Sequence, residues 1–244
     1  AETGRSTGLT YGYIFDRFLQ KDDFDADGNL KKDENGRQIL PQMALGTPRP
    51  GDALFKDLNG DGVINGDDKT RFGYAERPDY VFGFLGGLKW KNFEFSMQWT
   101  AAMNASRILD GEYRNAFGST NSRMLLKFLA DGRWTEENPN PHAAYPRIYS
   151  ASSVHTTYNR NFSDYHLFDS DYFRFKTLSL GYTVPSATVK NWGLQSLKVY
   201  VTGENLFTVR ADKKMEDFDP ETPSGRGTDT RGTSSISLGV NLTF

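Results

Sequence analysis

Residues 80–99 read Tyr80-Val81-Phe82-Gly83-Phe84-Leu85-Gly86-Gly87-Leu88-Lys89-Trp90-Lys91-Asn92-Phe93-Glu94-Phe95-Ser96-Met97-Gln98-Trp99. A strand turns successive side chains to opposite faces, so a period of two sorts this stretch. Tyr80, Phe82, Phe84, Leu88 and Trp90 fall on one face with Phe93, Phe95, Met97 and Trp99. Gly83, Gly87, Lys89, Glu94, Ser96 and Gln98 fall on the other. One face is apolar and the other small or polar, and the two runs meet at Lys91-Asn92, which predicts a hairpin with a two-residue turn. Asn92 is the residue expected to take the positive φ that such turns require.

Further strands are predicted at 8–19, 172–184, 197–209 and 234–244. In the last of these Ile236, Leu238, Val240, Leu242 and Phe244 alternate with Ser237, Gly239, Asn241 and Thr243. About six strands result. Between them lie long stretches at 20–78 and 104–170, polar or rich in Gly and Pro. A short helix is expected around 121–131, where Met124, Leu125, Phe128 and Leu129 recur at helical spacing. Arg133 to Pro141 cannot continue it.

Alternation of this kind fits either a soluble antiparallel sandwich with one face on its core or a transmembrane β-barrel, whose strands alternate lipid-facing and lumen-facing residues. Strands of eleven to thirteen residues exceed the usual five or six and suit a tilted membrane crossing of about 9–11 residues. The contrast of long loops with the tight turn at 91–92 and the short link at 185–196 adds the asymmetry of outer-membrane barrels. A closed barrel of this type needs at least eight strands, so the chain is expected to be a part of one.

Composition narrows the function classes. The 244 residues carry 29 basic and 31 acidic side chains, a net charge of -2, no cysteine, and 18 Phe, 12 Tyr and 4 Trp. Disulfides and thiolate metal sites are excluded. No positive excess exists to neutralise a phosphate backbone, so nucleic acid is not an expected partner. No apolar run reaches the length of a membrane helix. Ala1-Glu2-Thr3-Gly4-Arg5 shows no secretory signal, which is expected of a mature chain or of a piece of a longer one.

Six strings, in this order, resemble the C-terminal part of the SusC/RagA family of TonB-dependent outer-membrane transporters. They are Gly51-Asp52 with Lys56-Asp57-Leu58-Asn59-Gly60-Asp61-Gly62-Val63-Ile64; the hairpin Tyr80 to Trp99; Arg133-Trp134-Thr135 with Asn138-Pro139; Tyr172 to Pro185; Val201-Thr202-Gly203-Glu204-Asn205-Leu206-Phe207; and Leu238 to Phe244. The resemblance covers roughly 51–244, while 20–50 matches no part of the family pattern. It implies an antiparallel β-barrel of about 22 strands with a plugged lumen, of which this chain supplies a C-terminal segment. Residues 1–78 would be one barrel strand plus a long extracellular loop, and 79–244 the C-terminal barrel strands and their loops. It also implies the outer membrane of a Gram-negative bacterium, import of oligosaccharides or peptides, a SusD-like surface lipoprotein as partner, and TonB engaged through an N-terminal region that this chain lacks. The competing expectations are a soluble calcium-binding β-sandwich that binds carbohydrate and a secreted hydrolase.

Two acidic stretches follow calcium-loop spacing, which gathers six to eight hard oxygens from twelve residues. The first supplies Asp57, Asn59, Asp61, the Val63 carbonyl, Asn65 and Asp68, with Asp where an EF-hand has Glu. The second supplies Asp23, Asp25, Asp27, Asn29 and Glu34. Both also read as hydrogen-bonded Asx turns without an ion. No catalytic residues are expected. His142, His155 and His166 lack metal-ligand spacing, and the acids Glu136, Glu137, Glu216, Asp217, Asp219 and Glu221 read as solvated loop charges. Tyr145, Tyr149, Tyr158 and Tyr165 are loop aromatics suited either to stacking on sugars or to packing.

Overall fold

The computed structural model describes residues 8–108, 110, 116–117, 125–150, 153–213, 218–225 and 232–244. The chain separates into two interleaved compact units, one of residues 1–76, 107–168 and 223–228, the other of 77–106, 169–222 and 229–244. The division is therefore not a cut between 78 and 79. The connection 107–168 belongs with the first unit because it buries apolar side chains such as Trp134 and Tyr158 there.

The first unit has a core of its own, where a long irregular loop was expected. Strand β1 (Thr10–Gly12) pairs with β6 (Thr70–Phe72), β2 (Phe15–Phe18) with β4 (Ala53–Phe55), and β3 (Gln42–Met43) with β5 (Val63–Ile64). The stretch 8–19 is thus not one barrel strand. Phe18 and Leu19 are consecutive and both fully buried, which no one-faced strand permits. Around them pack Tyr13, Phe55, Ile64, Trp134 and Tyr158, with Tyr13 stacked on Phe55 at 5.0 Å. Helix α1 (Lys127–Gly132) occupies the end of the predicted 121–131 helix; Met124 lies outside the described residues. A second short helix, α2, spans Val154–Asn159 and is capped by Ser153. Strands β9 (Ser106–Ile108) and β10 (Leu167–Asp169) form one further short pair.

The second unit is one antiparallel sheet of five strands in the order β13-β12-β11-β8-β7. Its members are β7 (Tyr80–Trp90), β8 (Phe93–Met103), β11 (Tyr172–Thr183), β12 (Ser196–Arg210) and β13 (Ser235–Thr243). Phe84 stands opposite Trp99 and Leu88 opposite Phe95, so the faces of the hairpin are those its alternation dictates. The turn differs in one respect. Positive φ falls on Lys91, at 52°, because Asn92 is engaged with the next strand. Its Nδ2 donates to the Thr183 carbonyl at 2.7 Å and its own carbonyl accepts from the Thr183 N–H at 2.8 Å, tying the hairpin to β11.

Lys176 is an extra residue in β11, where the register slips against both neighbours. The bulge lets Phe175, paired with Trp99, and Leu178, paired with Met97, share a face although they are three residues apart. A short helix α3 (Ser186–Val189) lies in the link from β11 to β12. No helix among the described residues is long and apolar enough to cross a membrane.

Candidate functional site

The sheet presents two unlike surfaces. Its apolar face runs unbroken across all five strands: Phe82, Phe84 and Leu88; Phe95 and Met97; Phe173, Phe175 and Leu180; Val199, Val201 and Phe207; Leu238 and Val240. No second sheet covers it among the described residues, and Phe84, Leu180 and Leu238 are 57%, 50% and 73% exposed. A contiguous bare apolar surface of this extent marks contact with lipid or a partner. Trp90, Phe93 and Tyr182 cluster at the end with the tight turn, Phe93 lying 4.8 Å from Tyr182. From Tyr80 to Trp90 the chain rises about 34 Å. At a tilt of 40–45° that spans about 24–26 Å, the height of the apolar band of outer-membrane barrels.

The opposite face carries Glu94, Ser96, Gln98, Ser179, Lys198, Tyr200, Thr202 and Asn241, with the apolar exceptions Val81 and Leu85. Toward the tight turn it is hollowed into a concavity of about 550 Å³. Two lysines bracket Glu94: Lys89 at 3.0 Å, and Lys198 in direct hydrogen bond. Tyr200 lies flat across Gly239, where a Cβ would come within 2.2 Å of its ring. A larger residue at 239 would lift the tyrosine off the wall. The surface that results is polar, with the hydroxyls of Ser96, Ser179, Tyr200 and Thr202 beside the Glu94 ion pairs.

In the first unit the string Gly51-Asp52 is explained by packing. Gly51 has φ +91°, and a Cβ there would lie 2.5 Å from the Trp134 ring. Trp134, 1% exposed, fills that space, and its Nε1 faces Gln20 Oε1 at 3.3 Å. Asp52 is fully buried and accepts from the Arg49 N–H at 2.8 Å and Asn159 Nδ2 at 2.8 Å, with His155 Nδ1 at 3.1 Å. Burial pushes its carboxyl above the usual range against the pull of those donors. Tyr158 donates to the Ala53 carbonyl at 2.8 Å, and burial with the nearby Asp52 charge raises the phenols of both Tyr149 and Tyr158. This grouping ties 49–53 to 155–159 within the first unit. Sequence reasoning missed Asp52 and His155 as partners because they are 103 residues apart.

The first acidic loop is closed by its own backbone. Asp57 accepts from the N–H groups of Gly60 at 2.7 Å and Gly62 at 2.8 Å, Asn59 from Asp61, and Asp61 from Val63. Asp68 is fully buried beneath the turn and accepts from Leu58 at 2.9 Å and Asn65 at 2.8 Å. Burial pushes its carboxyl up, yet the N–H donors outweigh that and hold it below the usual value. The second stretch is dispersed. The Asp23 carboxylate is taken by Arg17 at 2.7 and 2.9 Å, Asp25 organises a turn with Asp27 and Asn29, and Asp33, next to Glu34, organises another with Asn35 and Arg37. Among the described residues no three His, Asp or Glu side chains gather as a metal-binding group.

The remaining candidates have structural surroundings. His166 Nδ1 lies 3.3 Å from Ser163 Oγ, and the His142 backbone N–H bonds Asn140. Glu136 pairs with Lys21 at 2.9 Å and Arg147 at 3.0 Å. Glu216 and Asp217 lie outside the described residues. Tyr145, Tyr149 and Tyr165 line a small cavity of about 60 Å³ with Leu129, Ile148 and Phe168, whereas Tyr158 is buried in the core.

Known proteins share this geometry, although no family model matches the chain. TonB-dependent receptor P26 of Formosa agariphila is 30% identical over 191 residues, 78% of this chain. TonB-dependent receptor P3 of the same organism is 26% identical over 235 residues, and TonB-dependent receptor SusC of Bacteroides thetaiotaomicron 25% over 234. The chain belongs to the SusC/RagA family of TonB-dependent receptors. It spans about a fifth of these relatives' length (20%, 18% and 21%), and a C-terminal barrel portion of such a receptor fits it. Two solved structures share the fold: the RagAB peptide transporter (TM-score 0.64, 17% identity, 97% of this chain and 22% of that one) and the RagAB peptide importer in its open-open state (TM-score 0.63, 18% identity, 100% and 24%). The five-stranded sheet is accordingly an unclosed part of a TonB-dependent barrel.

Proposed function

We propose that this chain forms part of the wall of an outer-membrane importer of a Gram-negative bacterium that takes up oligosaccharides or peptides and performs no chemistry on them. The partners in this reading are a SusD-like surface lipoprotein, TonB engaged through a part of the receptor outside these residues, and the remainder of the barrel. The observation that carries it is the sheet itself, with an uncovered apolar face on one side and a hydroxyl-lined wall on the other. Lipid on one side and a watery lumen on the other is the environment in which both faces are satisfied. The relatives named as TonB-dependent receptors support the energy source.

The test uses the whole receptor in its native membrane. It should leave the membrane only in detergent, change gel mobility on heating, and support uptake of a labelled oligosaccharide or peptide pool that stops when TonB is removed. Recovery of the receptor in detergent-free buffer would overturn the barrel, and uptake that persists without TonB would overturn the mechanism. Competition between unlabelled oligosaccharide and peptide pools decides the substrate class.

A further inference from the structure

Arg174 is the one arginine of β11 and lies on the sheet's polar face, beside positions held by Thr100 and Thr208. It is only 5% exposed. A buried guanidinium is costly unless its donors find acceptors, so its place in this wall calls for a partner. The partner is the loop between β12 and β13, which doubles back onto that face. Arg174 Nη2 donates to Asp219 Oδ1 at 2.7 Å, Nη1 to Glu221 Oε2 at 3.2 Å and Nε to Thr208 Oγ1 at 3.1 Å. The Tyr172 hydroxyl donates to the other Glu221 oxygen, its ring lies 5.0 Å from the guanidinium, and Arg210 Nε holds the Phe218 carbonyl at 3.1 Å. Pro220 between the two acids is fully buried, and Thr222 is 7% exposed.

We propose that Arg174 is a latch that fastens Phe218–Thr222 to the inner wall as a fixed ledge, narrowing the solute path at the end of the sheet away from the tight turn. Its description as part of a solute path rests on the function proposed above; the fastening itself does not. Two planar carboxylates on one guanidinium fix orientation as well as attraction, so the ledge keeps one position and does not wander as a free loop.

These 244 residues contain no cysteine, so single labels here are readable once any cysteine elsewhere in the receptor is replaced by serine. In the full receptor, on whole cells, Thr222→Cys should react slowly with a membrane-impermeant maleimide. Adding Arg174→Met should speed that reaction at least about tenfold, while Ser237→Cys, on the same face of β13, should react at one rate with or without Arg174. Equal rates at Thr222→Cys in the two backgrounds would show that the ledge is held by something else. If Arg174→Met lowers surface level too far to compare, Asp219→Asn with Glu221→Gln releases the same latch from the loop side. The same acceleration is expected there, and an unchanged rate overturns the proposal. Fractionation of the same cells reports separately on whether the receptor is a barrel, so the two readings fail independently.

Discussion

Phe84 stands near the middle of β7, opposite Trp99, and Ser96 stands on the other face of β8 opposite Gly87 and Ser179. If lipid meets the first and water the second, Phe84→Arg in the full receptor should cost about 2–4 kcal/mol in a bilayer unfolding titration. Ser96→Arg should cost far less. Equal penalties would place Phe84 in a protein core. Asp68 offers a second test at this scale, through acid. Its carboxyl titrates below the unfolded value because backbone N–H groups, those of Asn65 and Leu58 foremost, bind the charged form and outweigh the effect of burial. A depressed carboxyl contributes stability that is complete above its unfolded pKa of about 4 and fades as pH falls through the folded one. The protection of the Leu58 and Asn65 amides, taken as exchange relative to the free-peptide rate at each pH, should therefore fall below about pH 4, and Asp68→Asn should flatten that pH dependence. Exchange with the same acid profile in the variant would assign the effect elsewhere.

Among the elements, some can be read from the sequence and others take shape only in the fold. The β7–β8 hairpin was legible because the residues from Tyr80 to Trp99, Val81 and Leu85 apart, obey a period of two, and β13 for the same reason. Strand β11 was legible in extent but not in facing, since the bulge at Lys176 breaks the count and nothing in Phe175-Lys176-Thr177 announces it. The first unit was illegible because its core is assembled from fragments far apart, with Ile64, Trp134 and Tyr158 inside stretches rich in turn residues and Phe18 inside one that reads as a single strand. The acidic motifs were legible as turns, while their ion content depends on three-dimensional placement. We propose calcium for 57–68 alone, because the Asp23 carboxylate of the other stretch is already committed to Arg17. Asp57, Asn59 and Asp61 share one solvent-exposed turn above buried Asp68, and each carboxylate oxygen that accepts one N–H keeps a further lone pair. Millimolar calcium should therefore slow proteolysis within 55–70 of the full receptor, and a chelator should restore it, with heat-modifiability unchanged throughout. A cleavage rate indifferent to calcium would leave the loop as an Asx turn closed by hydrogen bonds alone.

At the scale of the whole molecule, the sheet has two outer strands, β7 and β13, each paired on one side only among the described residues. An unpaired strand edge in hydrocarbon leaves a row of N–H and C=O groups that lipid cannot satisfy. Soluble proteins protect such edges with charge, proline or bulges; β13, Ser235–Thr243, has no charge and no proline, and its register with β12 is unbroken. Its neighbour must then come from a part of the receptor outside these residues, which accords with a chain about a fifth as long as its relatives. Closure is therefore all or nothing: losing pairing at β13 opens an edge along the whole barrel and does not merely trim it. Deleting Leu242 to Phe244 should cut the surface level of the full receptor severely, measured by antibody on intact cells. Transport divided by the number of surviving surface molecules should change little, because those residues do not line the polar concavity. A truncated receptor at full surface level, or one whose defect lies in transport per molecule, would mean that β13 does not close the barrel.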